Sequence, residues 1–317
     1  MQQIEGIENI AAPLKRAVLT IGNFDGVHLG HRRLFKNVVE IARQIDGTAT
    51  AMTFEPHPMK VLKTDGCPFP LITLYEQKIE LLAREGLDYL IVVPFNYEFS
   101  QVSAQNFVQD ILVNRIGVKS IVIGNDYCFG KKREGTIQLL QDYGNKLGFS
   151  VQIVPWESVD NPPNTRISST AIRTAVASGN LKQARKMLGR YYQVRGTVQP
   201  GRNRGGSQVG FPTANLKLHD ELKPMSGVYA VSVLYKEKQY FAVANIGFAP
   251  TFDDHEYTLE IHLINFSGNL YGQTIRVNFI ERLRGEIKFD SINALADQIK
   301  QDIQNAKKIL GTIQVKQ

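Results

Sequence analysis

The chain has 317 residues, 43% hydrophobic and 21% charged, with a formal net charge of +7. That length gives room for two domains with separate cores, and the composition excludes a disordered or fibrous chain. No apolar run approaches a membrane span and no Lys/Arg block marks a nucleic-acid tail, while Cys67 and Cys128 lack the spacing of a zinc site or a disulfide framework.

Taken in order, the apolar run at residues 17–21 predicts a buried strand, and Leu34, Val38, Ile41 and Ile45 follow at helical spacing. Between them lies a glycine-rich turn containing Gly22, Asn23, Phe24, Asp25, Gly26, His28, Gly30 and His31. Glycines let backbone approach a ligand closely, and a helix start offers unpaired N–H groups to an anion. His28 and His31 can each donate a hydrogen bond to phosphate there. Strands are expected at 48–54, 89–93, 120–123 and 151–154, and helices at 74–85, 103–115 and 136–147, with Ser103 starting the second and Gly148 stopping the third. This alternation predicts a parallel sheet with helices on both faces, whose ligands sit at the carboxyl ends of strands. Two more motifs fall at such ends. Phe54, Glu55, Pro56, His57 and Pro58 form the first; the second runs from Gly124 to Gly130, where Asp126 can accept from the polar edge of a ligand while Tyr127 and Phe129 stack.

Farther on, Arg166 and Arg173 bracket Ser168, Ser169 and Thr170 at a predicted helix start, with Ser168 or Ser169 as N-cap. Two arginines around hydroxyls can clamp a triphosphate. Past Gly189 the pattern changes to short strands at 192–198, 228–235, 239–245, 257–264 and 274–280, which predicts an antiparallel barrel. A final helix over 291–310 carries Ile292, Leu295, Ile299 and Ile303 on one face. The barrel has its own phosphate candidate: glycines from Gly201 to Gly210, including Gly205, with Arg202 and Arg204 beside them, lead into Phe211, Pro212, Thr213, Ala214 and Asn215. Backbone there can wrap phosphates while the Thr213 hydroxyl and Asn215 carbonyl offer oxygen ligands to Mg²⁺. Glu260 and His262 lie two apart on one strand and so share a face.

These motifs carry a resemblance over nearly the whole chain. The His28-x-Gly30-His31 turn resembles the nucleotidyltransferase superfamily, and the longer stretch from Gly22 to His31 is similar to the N-terminal signature of prokaryotic FAD synthetases. Phe54-Glu55-Pro56-His57-Pro58 and Ile167-Ser168-Ser169-Thr170-Ala171-Ile172-Arg173 match the same family. Gly210 to Asn215 resembles the riboflavin kinase signature, Leu259 to Leu263 resembles the kinase strand whose glutamate is the base, and Arg282 to Phe289 matches its closing segment. Two departures stand out: Ser207 lies where the kinases often carry arginine, as does Ala249 before Pro250.

The resemblance implies a Rossmann-like nucleotidyltransferase domain (1–184) and a riboflavin kinase barrel with a terminal helix (185–317). The barrel would phosphorylate riboflavin to FMN with Mg²⁺ and ATP, Glu260 acting as base. The first domain would adenylylate FMN to FAD. Its catalytic histidines would be His28 and His31. ATP would meet these with Gly22, Asn23, Phe24, Asp25, Gly26, Arg166, Ser168, Ser169, Thr170 and Arg173, and flavin would meet Phe54, His57, Asp126 and Phe129. In the barrel Gly205, Gly210, Pro212, Thr213 and Asn215 would bind ATP. FMN and FAD would be substrate and product rather than prosthetic groups. Riboflavin, FMN and ATP are the expected partners, without nucleic acid or membrane. Glu5 and Glu8 break any leader-like start, so a cytoplasmic protein, monomeric or transiently oligomeric, is expected. The rivals are a nucleotidyltransferase for another acceptor, or a flavin-sensing or nucleic-acid-binding protein that lost catalysis.

Overall fold

The computed structural model describes residues 1–63, 69–158, 166–200, 210–218, 220–248 and 257–312. Cys67, Arg202, Arg204, Gly205, Ser207, Ala249 and Pro250 fall outside them. The chain forms two compact units, Met1–Ser169 and Thr170–Gln317.

The first unit is built on β1 (Gln2–Glu5), β2 (Ala17–Ile21), β3 (Ala49–Glu55), β4 (Tyr89–Pro94), β5 (Val118–Gly124) and β6 (Ser150–Val154). They form a wholly parallel sheet in the order β1-β4-β3-β2-β5-β6. All five residues of β2 are buried, as a strand covered on both faces requires. Alternate residues feed two cores. Leu19, Ile21 and Met52 meet Phe107 and Leu112 on one side; Val18, Ala51 and Leu90 meet Phe35, Val38 and Ala42 on the other. The latter three come from α1 (Leu29–Gln44).

Shorter helices complete the unit: α2 (Pro58–Leu62), α3 (Tyr75–Ala83), α4 (Tyr97–Ser100), α5 (Ala104–Asn106) and α6 (Ile137–Leu147). The helix expected over 103–115 is differently wound. Ser103 does cap it, accepting from the Asn106 N–H at 3.1 Å, but residues Phe107–Ile116 form a π-helix that ends at Gly117. Strand order runs β2, β3, β4 to one side and β5, β6 to the other. The reversal between β2 and β5 opens the crevice where such sheets bind ligands.

The second unit is a closed antiparallel barrel in the order β10-β11-β8-β7-β12-β9. Its strands are β7 (Tyr192–Gln199), β8 (Ala214–Lys217), β9 (Gly227–Tyr235), β10 (Lys238–Phe248), β11 (Tyr257–Leu263) and β12 (Thr274–Arg284). Leu216, Val231, Ile246, Leu259, Ile261 and Phe279 are buried on alternate positions and fill the interior.

The helices α7 (Ser169–Ala177), α8 (Leu181–Leu188) and α9 (Ile292–Gly311) complete the chain. Leu181, Ala184, Met187 and Leu188 are the buried face of α8. On the barrel's outside, Val228, Ala230, Val243 and Ile280 meet Ala306 and Leu310 of α9. The buried stretch of α9 is its second half. Ile292, on the same face as Leu295, Ile299 and Ile303 by periodicity, is 61% exposed. The compact units divide at Ser169, earlier in the chain than the change in sequence pattern near Gly189.

Candidate active sites

In the first unit, the turn after β2 is held by its own side chains. His28 is the N-cap of α1, and its Nδ1 accepts from the His31 N–H at 3.3 Å. The two imidazoles stack with centroids 3.5 Å apart, and Phe24 meets His31 edge-on at 5.3 Å. Both rings are thus fixed at a helix N-terminus, where the backbone already favours an anion. Gly30 separates them for a steric reason: a Cβ there would lie 3.2 Å from the His28 ring. Gly26 has φ of +87°, a conformation that favours glycine.

Asp25 is buried, and its carboxylate is a clamp. It accepts from the N–H groups of Ile72 (3.0 and 3.1 Å) and Thr73 (3.0 Å), and from the Thr73 hydroxyl at 3.3 Å. The Gly26 N–H donates to Thr73 Oγ1 at 3.0 Å. The Ser169 hydroxyl donates to the Asp25 carbonyl at 2.8 Å, so the Ser168-Ser169 turn joins this loop. Thr170 and Arg173 follow on α7 in the second unit, Thr170 exposed and Arg173 half-buried. Gly22 and Asn23 are half-buried at the end of β2.

Across the carboxyl edge, Phe54 at the end of β3 packs on Phe95 and Phe99 at 5.7 and 5.9 Å. Phe129 lies near Phe107 at 5.7 Å and stacks with Tyr127, whose phenol burial pushes far above its usual range. His57 is buried, caps α2 by accepting from the Met59 N–H at 3.1 Å, and stacks on Phe69. Asp126 pairs with the Arg166 guanidinium at 2.5 Å, and that guanidinium lies 3.7 Å over Trp156.

Sequence reasoning missed three residues here: Thr73, Trp156 and Lys78. The lysine is buried against Glu55 at 3.4 Å and donates to the Phe54 carbonyl at 3.3 Å; burial lowers its pKa. A lysine on the inward face of the 74–85 pattern was the only available signal.

In the second unit, Pro212 and Thr213 lead into β8. Asn215 stands directly opposite Glu260 of β11. Glu260 reaches solvent, yet the surrounding protein makes its charged form costly, and this desolvation raises its pKa. His262 fixes the approach to β8: its Nδ1 lies 2.9 Å from the Pro212 carbonyl and its ring meets Phe211 edge-on. Gly210 is exposed with φ of +84°. Among the described residues no cluster of three His, Cys, Asp or Glu side chains could hold a metal.

Comparison with known proteins bears on both units. The FAD synthetase family model matches residues 10–171, and the riboflavin kinase model matches residues 188–310. A bifunctional riboflavin kinase/FMN adenylyltransferase of Haemophilus influenzae is 40% identical over 97% of this chain and 98% of its own length. The chain belongs to the bifunctional riboflavin kinase/FMN adenylyltransferase family. The enzyme of that name from Escherichia coli K12 is 41% identical over 98% of each chain. A crystal structure titled as a macrolide-efflux protein from Streptococcus pneumoniae superposes with a TM-score of 0.86 at 34% identity, covering 97% of this chain and 99% of that one. Among the described residues here, no helix is long and apolar enough to cross a membrane. In this family's terms, the His28 turn and the Asp126 loop lie in the synthetase segment, and Thr213, Asn215 and Glu260 in the kinase segment.

Proposed function

We propose that this chain makes FMN and then FAD at two separate sites. Its kinase segment transfers the γ-phosphoryl group of ATP to riboflavin. Its synthetase segment transfers AMP from a second ATP to FMN, with release of pyrophosphate. The observation that carries this reading is the pair of family matches in one chain, each containing a motif at a strand end. We assign the two activities to residues 1–184 and 185–317, with flavins as substrate and product.

In the barrel, Glu260 takes the proton of the attacking riboflavin hydroxyl as its oxygen bonds to the γ-phosphorus and the bond to ADP breaks. A carboxylate whose pKa is raised is a better match to that task near neutral pH. Mg²⁺ fits here as a passenger of ATP: the Thr213 hydroxyl and Asn215 carbonyl are hard oxygen donors beside Glu260, and phosphates complete such a shell. When bound, it neutralises charge on the phosphates. In the first unit, His28 and His31 hold the reacting phosphates at the α1 N-terminus, with Arg166 on the polyphosphate and Ser168 and Ser169 offering hydroxyls. Phe54, His57, Asp126 and Phe129 form the flavin side, and Asp25 acts through the loop it clamps.

The test is direct. The purified chain is incubated with riboflavin, ATP and Mg²⁺, and flavins are resolved by chromatography. FMN followed by FAD supports the reading; riboflavin recovered intact from folded protein rejects it.

A further inference from the structure

We infer that Asn245 is the acceptor-side contact of the kinase site, its carboxamide holding the hydroxyl chain of riboflavin against Glu260. The inference rests on the kinase reading above and extends it to a residue that no motif singled out.

Register carries the argument. Asn215 stands opposite Glu260, and Glu260 stands opposite Asn245, across β8, β11 and β10. Directly opposed residues share a face, with Cβ atoms about 4.5–5.5 Å apart at each step. Their strand neighbours Ala214, Leu216, Leu259, Ile261, Ala244 and Ile246 are buried in the barrel. The three polar side chains therefore form one line on the outer surface, with the carboxylate in the middle.

Nothing in the fold explains that line. Asparagine is depleted in strands, yet two occupy it. Asn245 is exposed, and among the described residues none of the three side chains has a hydrogen-bond partner. A polar row kept without partners breaks the local rules of a strand, as functional positions do.

The row is also directional. Asn215 closes the stretch from Gly210 that faces the phosphate donor. In an in-line transfer the acceptor oxygen meets the base, and the rest of the acceptor extends away from the donor. On this row, away from Asn215 means toward Asn245. Beyond Asn245 the next residue is Val228, part of the apolar cluster under α9. Val228 is covered by α9, so the polar row ends at Asn245 and its carboxamide is the last group on the acceptor side.

The test uses the full chain with Asn245→Ala and Asn245→Thr, the second retaining a good strand former. With one substrate hydrogen bond lost, KM for riboflavin should rise about tenfold while KM for ATP stays within about twofold. Adenylylation of supplied FMN and a thermal melt serve as internal controls, and the threonine variant decides if the alanine variant unfolds. An unchanged riboflavin KM, or a matching rise in KM for ATP, overturns the assignment. Glu260→Gln is assayed alongside. No FMN from the parent chain rejects the kinase reading itself, and normal FMN production by Glu260→Gln overturns the Glu260-centred site, whereas loss there with an unaltered Asn245→Ala rejects only the acceptor-side contact.

Discussion

His28 joins two functions in one ring: its Nδ1 caps α1, and its face stacks on His31. Replacing it with alanine removes a donor aimed at developing phosphate charge, worth roughly 3–4 kcal/mol or a hundredfold or more in rate. His28→Ala should therefore block FAD formation and spare FMN formation; equal loss of both in a folded protein would refute the division of sites. Glu260 gives a second residue-scale expectation. As a base it works deprotonated, so kinase activity should fall as pH drops through a pKa lying above the ordinary glutamate range. Glu260→Gln keeps the shape and loses the base, which should lower turnover about a hundredfold to ten-thousandfold. FMN supplied from outside should still become FAD. If the acid limb of the profile survives in the glutamine variant, it belongs to another group.

At the scale of elements, an ion pair adds to the apolar packing that holds α9 on the barrel. Arg284 of β12 meets Asp302 in a fork, with Nε–Oδ2 and Nη2–Oδ2 at 3.0 and 2.7 Å, and the Asp302 side chain is 3% exposed. Gln298 adds a donor at 3.0 Å. Asp302→Ala leaves the arginine unpaired, so it should cost about 3–5 kcal/mol and lower the melting temperature of the second unit by many degrees. A melt within a degree of the parent would mean that solvent replaces the pair. This pair also shows why sequence reading of α9 went only part way. A 3.6-residue period marks a helix and its apolar side, but not which turns are covered: Ile292 shares the apolar face and still lies exposed in the first turn. The alternation of β2, β3, β4 and β5 with helices was plain because buried parallel strands are continuous apolar runs. β1 and β8 are short, with little apolar signal of their own, and emerged only as pairings. The same division holds for the sites. Glycines and histidines in one turn were readable along the chain. Asp25 on the amides of Ile72 and Thr73, or Asn245 beside Glu260, needed distant segments brought together.

For the molecule as a whole, α8 tests where the second unit begins. Leu181 and Ala184 are buried, and Asn180 accepts from the Gln183 N–H at 3.1 Å as the cap. A fragment of residues 180–317 should fold and make FMN but no FAD. Shortening it to 185–317 removes the cap and a buried leucine, a loss of about 2–4 kcal/mol, so it should melt lower while keeping the same product. A soluble, folded 180–317 fragment that makes no FMN would take the kinase out of the barrel. The chain also contains a single tryptophan. It is Trp156, half exposed beneath the Arg166 guanidinium. Ultraviolet emission from all 317 residues thus reports mainly on that one stacking pair, and the protein carries its own unlabelled optical probe of the proposed adenylylation site. If ATP draws Arg166 off the indole, emission excited at the tryptophan band should change on titration with nucleotide alone, and Arg166→Ala should abolish the change; a spectrum indifferent to ATP would mean that the arginine stays on the ring throughout the reaction cycle.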